Sequence, residues 1–451
     1  MRARPASTPL AHALAQFASG PHQALQDPPL RGLVETGFAD CIAVLVAGWP
    51  SPAARIVREA TARWRERIED RALVIATAAH ALDYDDTAFG AHPSAILVPA
   101  LLAASCERPI SGAEAIAAYL VGYEIWADLT ARDRDPLHGK GWHPSAVFGA
   151  VAAAAAAGRA LDLDTDQLAN ALNIAASMSG GVTANFGSMM KPVQLGRAAQ
   201  SGLLAVRLSR LGLRAGEDAL GAADGLLAAL SPHGNCDTAT APALTRLPYV
   251  RRHGLNIKLW PACYAAHRLI DAGVQLHARY GPLDPDAVVR IEAELGATQS
   301  AVLRHRRPDK AEQAKFSAEF CIASALRAGD CAPDRFSDAF VESAPIQALM
   351  ERTVRRLTTE QDPEEPTHAP FDRLTVVMKD GSRRTSDAIR VPTGHCTRPA
   401  EPKRLRAKFQ HCVEPVLGAA GASALQARVD ALATCGDIRE ILPITELEKQ
   451  A

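Results

Sequence analysis

The sequence predicts a mainly α protein: a large all-helical domain built from N- and C-terminal segments, with a smaller α/β domain between them. Three observations predict it. From Leu33 to about Leu230 apolar residues recur at helical spacing, with no strand-like alternation. After about Ala272 the texture changes to short alternating runs mixed with helices. Beyond Pro399 the helical pattern returns, in Lys403–Cys412 and Leu425–Thr434. The resulting boundaries are 1–271 for the helical domain, 272–390 for the α/β domain, and 391–451 for a segment that rejoins the first. A chain of 451 residues exceeds one typical core, so two units fit its length.

In order along the chain, a first amphipathic helix is expected over Leu10–Ala18. Cys41–Gly48 is a buried apolar segment, and Ala53–Ile68 alternates Arg and Glu with apolar residues at helical spacing. Helices continue over Ala113–Thr130 and Ala146–Leu161. Asp164-Thr-Asp-Gln167 has the form of a capping box and opens a helix over Leu168–Met178. Gly180-Gly181 ends it, and a loop leads through Lys191-Pro192 to a helix from Val193 to about Leu211. Gly212–Pro242 is expected to hold loops and short helices. A helix from about Ala262 would set Cys263 and His267 at i and i+4 on one face. In the second domain Ala287–Leu295 reads as a strand. Leu374–Met378 and Arg383–Ile389 read as a hairpin around Asp380-Gly381. Helices are expected over Glu312–Arg327 and Pro345–Leu357, and a mobile loop over 358–370, with Pro363, Glu364, Glu365 and Pro366.

Composition excludes several functions. Forty-nine Lys and Arg face 50 Asp and Glu, for a net charge of −1, and aromatics make up 5%. That balance argues against a generic nucleic-acid or anionic-membrane binder. Nine cysteines are scattered with no Cys-x-x-Cys pair, which fits a reducing compartment rather than a disulfide framework. Arg2 and Arg4 precede the first acid, Asp27, but no signal-peptide apolar core follows. Runs such as Ala146–Ala157 are too short and alanine-rich to span a bilayer. A soluble cytoplasmic protein is expected.

One stretch concentrates the chemistry: His80-Ala-Leu-Asp83-Tyr-Asp85-Asp86-Thr87-Ala-Phe-Gly-Ala-His92-Pro93-Ser94-Ala95. Read as helix, it places Asp83, Asp86 and Thr87 on one face. His92-Pro93 then starts a new helix, and proline suits a first helical position. His-Pro-Ser-Ala recurs at His143–Ala146 before another apolar run. Two histidines at two helix mouths suggest one anion site, because those mouths present unpaired N–H groups. Lys191 precedes a third proline-started helix, where its charge opposes the helix dipole unless an anion lies between. Lys258 stands just before Cys263, Tyr264 and His267. The whole set offers proton-transfer groups and cations suited to carboxylates, as proton abstraction α to a carboxylate requires. No Walker loop, dinucleotide fingerprint, nucleophile elbow or His-Glu-x-x-His occurs, so no cofactor or metal is expected. Two rival readings are a metal site on His80, Asp83, Asp86 and His92, and a non-catalytic helical scaffold.

His-Ala-Leu-Asp-Tyr-Asp-Asp-Thr with His-Pro-Ser-Ala, then Gly122-Tyr-Glu124, Gly-Trp-His-Pro-Ser, Lys191-Pro192 and Lys258-Leu-Trp-Pro-Ala-Cys263 resemble, in order, the MmgE/PrpD family. The resemblance runs from about Leu33 to Asp271 and more weakly through the second domain. It implies a helical domain capped by an α/β lid, a cofactor-free site between them, and a homodimer. It also implies a small di- or tricarboxylate substrate. Matched by motif, Asp83, Thr87, His92, His143, Lys191 and Lys258 line the site. Two departures stand out. Cys263 replaces a histidine of the decarboxylase members, and Phe320 replaces their tyrosine. Cys263 could act as a base if Lys258 or a helix N-terminus lowered its pKa. The reading drawn from this is a cofactor-independent proton-transfer enzyme, first an epimerase of the iminodisuccinate type. The alternatives are a hydro-lyase of the 2-methylcitrate dehydratase type and a decarboxylase of the cis-aconitate type. His92, His143, Cys263, Lys191 and Asp83 form the catalytic set. Thr87, Lys258, Tyr264 and His267 form the substrate-binding set.

Overall fold

The structure, a computed structural model, describes residues 8–21, 27–64, 66–363, 365, 367–442 and 447. The chain is mainly α. Its first helices are α1 (Leu10–Ser19), α2 (Pro28–Gly48), α3 (Pro52–Thr61) and α4 (Ile68–His80). There follow α5 (Ser94–Ala104), α6 (Gly112–Ala131), α7 (Pro144–Ala160), α8 (Thr165–Ser177) and α9 (Met190–Arg210). Short helices α10 (Leu226–Leu230) and α11 (Pro248–His253) complete this half. Start signals explain many of the boundaries. Ser51 caps α3 by accepting the Ala54 N–H, and Ser111 with Glu114 forms a capping box on α6. Asp164 and Gln167 do the same on α8, as their spacing predicts.

Small residues decide how closely these helices pack. A Cβ added to Gly202 of α9 would stand 2.5 Å from the Ala153 Cβ and 2.7 Å from the Ala154 nitrogen of α7. One added to Gly196 would stand 2.4 Å from Thr77 Oγ1 and 2.5 Å from the Leu73 carbonyl of α4. The alanine-rich composition thus serves near-contact of backbones, and α9 lies pressed between α4 and α7. This close packing brings Lys191, at the start of α9, beside His80, at the end of α4.

The second part holds α12 (His267–Tyr280), α13 (Ala297–Val302), α14 (Ala311–Ala314), α15 (Ala318–Ala328), α16 (Asp338–Val341) and α17 (Ala344–Glu351). They pack with β1 (Val288–Gly296), β2 (Thr353–Thr358), β3 (Arg373–Met378) and β4 (Arg383–Thr385). The sheet order is β2-β1-β3-β4, with β2 parallel to β1 and the other pairs antiparallel. Gly381, at φ +86°, makes the β3–β4 turn where Asp-Gly predicts it. The strand expected over Arg383–Ile389 is shorter, ending at Thr385, and two expected helices fail. The helix over Pro345–Leu357 stops at Glu351, because β-branched Thr353-Val354 enters the parallel pairing with β1. The helix over Glu312–Arg327 is two, since Ser317 breaks it and caps α15 through the Phe320 N–H. In the loop 358–370, Glu364 and Pro366 lie outside the described residues, as do Arg2 and Arg4.

After Pro399 comes α18 (Pro402–Asp430), whose backbone is non-helical at Gly418, φ 71°, so that it consists of two helices meeting at a kink between the two expected. Its residues Phe409, Cys412, Val413, Leu425 and Val429 share a buried cluster with residues from Leu10 to Ile257. A second cluster runs from Ala262 to Ile389. Among the described residues no helix is long and apolar enough to cross a membrane.

The close helix contacts carry a prediction. Gly202→Val and Gly196→Val should each destabilise the fold by ~1–3 kcal/mol or more through overpacking, while Gly216→Ala, with open space around it, should stay within about 0.5 kcal/mol. Melting temperatures of the three variants check this.

Candidate active site

The site begins where α4 ends. The helical face expected for Asp83, Asp86 and Thr87 does not form, because the helix stops at His80 and Asp83 turns to φ 51°. Aspartate tolerates this left-handed conformation better than most residues. The turn lets Asp83 offer both its carbonyl and its carboxylate. Lys191 Nζ donates to Oδ2 at 2.9 Å, while Lys258 Nζ donates to Oδ1 and, at 2.9 Å, to the main-chain carbonyl. Lys258 is placed by a short antiparallel bridge, in which Thr87 and Asn256 exchange N–H···O bonds of 2.9 and 2.8 Å. Asp83 and Lys258 are buried, as is Lys191. Burial alone would push the Asp83 carboxyl up, but the two ammonium groups hold it well below the usual carboxylate range. The anion that Lys191 requires is therefore supplied from within the chain. Lys191 is also inside α9, which begins at Met190, rather than ahead of it.

Asp85, two residues on, anchors the histidines. Its carboxylate lies 2.8 Å from His80 Nδ1 and 2.9 Å from His92 Nδ1, and the Asp86 carbonyl is 3.1 Å from the latter. Asp85 thus orients the two histidines, while Asp83 holds the lysines. His80 Nε2 is 2.8 Å from Lys191 Nζ, which links the two groups. The two His-Pro-Ser-Ala repeats meet directly, since the His92 N–H donates to Ser145 Oγ at 3.0 Å. The His80 ring is 4.4 Å from that of His92 and 6.3 Å from that of His143. His143 caps α7. Its Nδ1 is 2.7 Å from Gln194 Oε1, whose amide nitrogen donates to Val182 O, so Nδ1 carries the proton. His143 Nε2 is left buried, with a lone pair and, among the described residues, no hydrogen-bond partner. Burial drives these imidazoles toward neutrality: His92 falls to about 3 and His143 well below its usual value.

Among the described residues, the side chains of the remaining predicted residues make no hydrogen bond or ion pair with this centre. Cys263 and His267 do not share a helical face, because Cys263 precedes a 3-10 turn and α12 begins only at His267. Burial and the Asp83 charge push the Cys263 thiol to about 11, and the lysines offset this only in part. A thiolate base at this position is not what the site builds. His267 falls to about 3 through burial and Lys258, with Nε2 3.3 Å from the Ala262 carbonyl. Among the described residues, the Tyr264 hydroxyl and Thr87 Oγ1 are buried without hydrogen-bond partners. Phe320 packs on Phe336 and Phe340 in the second cluster.

Ligand atoms of His80, Asp83, Asp85 and His92 lie within 4.8 Å of one another, a set that could hold a metal. Asp85 takes the place expected for Asp86, which turns away to Ser94. Yet both Asp83 oxygens accept from ammonium groups, and His80 Nε2 faces one of them. Lysines fill the cationic positions of this donor set. Beside it lies a cavity of about 30 Å³, lined by His80, Asp83, Lys191, Lys315 and Phe316, among others. Sequence reasoning missed Asp85, Gln194 and Lys315 as site groups, and placed His80 only in the rival metal site. For His80 and Asp85 a signal existed, since both stand in the richest polar stretch. For Gln194 and Lys315 none did.

Models of the MmgE/PrpD N-terminal and C-terminal domains match residues 12–239 and 260–434. Cis-aconitate decarboxylase of Mus musculus is 28% identical over 357 residues, 75% of this chain and 70% of that protein. The Homo sapiens enzyme of that name is 26% identical over 351 residues, 75% and 71%. A cis-aconitate decarboxylase-like protein of Aspergillus oryzae is 25% identical over 386 residues, 81% and 79%.

Buried neutral histidines make stability pH-dependent. Unfolded histidine titrates near 6.5, whereas folded His92, His138 and His267 titrate at about 3. Below 6.5 the unfolded chain binds protons that the folded chain does not, so acid favours unfolding by ~1.4 kcal/mol per pH unit for each such group. The melting temperature should fall steadily from pH 6.5 to pH 4; a flat profile would contradict neutral burial.

Proposed function

We propose, for a chain that belongs to the MmgE/PrpD family of enzymes, that it is a cofactor-independent lyase decarboxylating a small unsaturated tricarboxylate of the cis-aconitate kind. The observation that carries this reading is the convergence of Lys191 and Lys258 on Asp83, beside an imidazole nitrogen of His143 that has no partner. The names of the similar proteins support it, and so does the state of Cys263. An epimerase of the iminodisuccinate type needs a second base on the opposite face of the substrate. Cys263 was the residue for that role, and a thiol held at about 11 is poorly suited to it.

The chemistry follows from the charges. Losing CO2 from the methylene arm of such a substrate breaks a carbon–carbon bond, whose electron pair becomes a terminal double bond. The original double bond's pair shifts to the carbon α to the far carboxylate, and a proton captures it there. The negative charge that develops on that carboxylate is stabilised by the Lys191 and Lys258 ammonium groups, already fixed in place by Asp83. His143 delivers the proton from Nε2. An anionic substrate beside this imidazole raises its pKa, so Nε2 takes up a proton from water as the substrate binds. His92 and His80, oriented by Asp85, complete the proton-transfer network, and Thr87 and Tyr264 offer hydroxyls to the carboxylates. The α/β part, residues 272–390, acts as a lid over the helical domain, which 391–451 rejoins. A cytoplasmic homodimer is part of the same reading.

Proton NMR in D₂O with cis-aconitate tests it. The expected result is CO2 release and a terminal methylene product carrying one deuterium α to a carboxylate. Deuterium exchange with stereoisomer formation on iminodisuccinate would return the epimerase; water loss from a hydroxy tricarboxylate would indicate a hydro-lyase. His143→Gln should lower kcat by about 10²–10⁴-fold. Cys263→Ser should stay within about threefold of wild type, since nothing in the proton path uses its thiolate.

A further inference from the structure

Lys315 stands in the loop between α14 and α15, in the part of the chain whose apolar residues form the second buried cluster. It is 9% exposed. Its ammonium donates to the Ala81 carbonyl at 3.0 Å, and among the described residues it has no carboxylate within 4.0 Å. Other buried lysines of the molecule differ: Lys191 and Lys258 share Asp83, and Lys408 is paired with Asp40. A buried ammonium without a counter-ion is costly, and burial accordingly lowers its pKa. Lys315 lines the cavity next to Asp83 and Lys191. The lining also includes Ser51, Pro52 and Ala53, the start of the ten-residue α3. Pro52 has no N–H, and the Ser51 side chain takes that of Ala54, so the end of α3 adds its dipole rather than a full set of donors. Glu312 also lines the cavity, and its charge acts on Lys315 from beyond ion-pair distance.

We propose that Lys315 is the counter-charge for a second substrate carboxylate, held between its ammonium and the start of α3, apart from the Lys191–Asp83–Lys258 centre. This deepens the tricarboxylate reading and rests on it. The residue is a specificity determinant: it separates substrates with a distal carboxylate from those without one. Because the Ala81 carbonyl it bonds lies two residues before Asp83, its placement also registers the loop after α14 against the catalytic turn.

The test is calorimetric titration of the full chain with tricarballylate, a saturated tricarboxylate that cannot react, alongside steady-state kinetics. Lys315→Gln retains a donor for the Ala81 carbonyl and removes the charge. Its affinity for tricarballylate should fall about tenfold or more, the scale of one charge-assisted hydrogen bond, with KM rising and kcat nearly unchanged. Lys315→Arg should recover most of the affinity, and equal melting temperatures would exclude a folding defect. Wild-type affinity in Lys315→Gln would overturn the subsite while leaving the decarboxylase reading intact. If wild type binds no tricarballylate, the tricarboxylate reading and the subsite fall together.

Discussion

Everything at the site depends on one carboxylate shared by two ammonium groups. Asp83 takes Lys191 from the start of α9 and Lys258 from the extended segment after α11, with no solvent to screen either charge. Removing the carboxylate would leave two like charges buried together, which is the costly way to break an ion pair. Holding them this way has a chemical use. The cations are in place before any substrate arrives, so stabilising new negative charge needs no reorganisation. Nearby, Asp85 does for two imidazoles what Asp83 does for two lysines. The pair of adjacent acids thus divides the work between electrostatics and proton transfer.

This arrangement is held by backbone proximity more than by bulky packing. Gly196 and Gly202 let α9 lie against α4 and α7 closely enough for Lys191 to reach both His80 and Asp83. The His92–Ser145 bond ties the two helix mouths together, and Lys408 on α18 joins Asp40 to the Tyr84 carbonyl directly after Asp83. The polar turn is therefore braced on several sides, by residues far apart in sequence.

Much of this could be read in advance. Helix starts follow local rules, so the capping box at Asp164 and Gln167 and the proline-led start of α7 were legible. The polar residues at those starts also marked the site. What stayed hidden was tertiary in origin. Leu82-Asp83-Tyr84 carries no glycine or proline to announce a turn, and Asp83 adopts φ 51° because two lysines wait for it. Thr353–Thr358 continues a helical-looking sequence, yet becomes a strand because β1 offers it a parallel partner. Cys263 looked activated by the nearby lysine in sequence, but its burial and the charge of Asp83 act the other way.

The cavity beside the site is lined from both parts of the chain, by His80, Asp83 and Lys191 of the first and by Lys315 and Phe316 of the second. Whatever binds there holds to both at once. Its binding free energy is then added to the stability of the folded chain, and grows with the logarithm of its concentration.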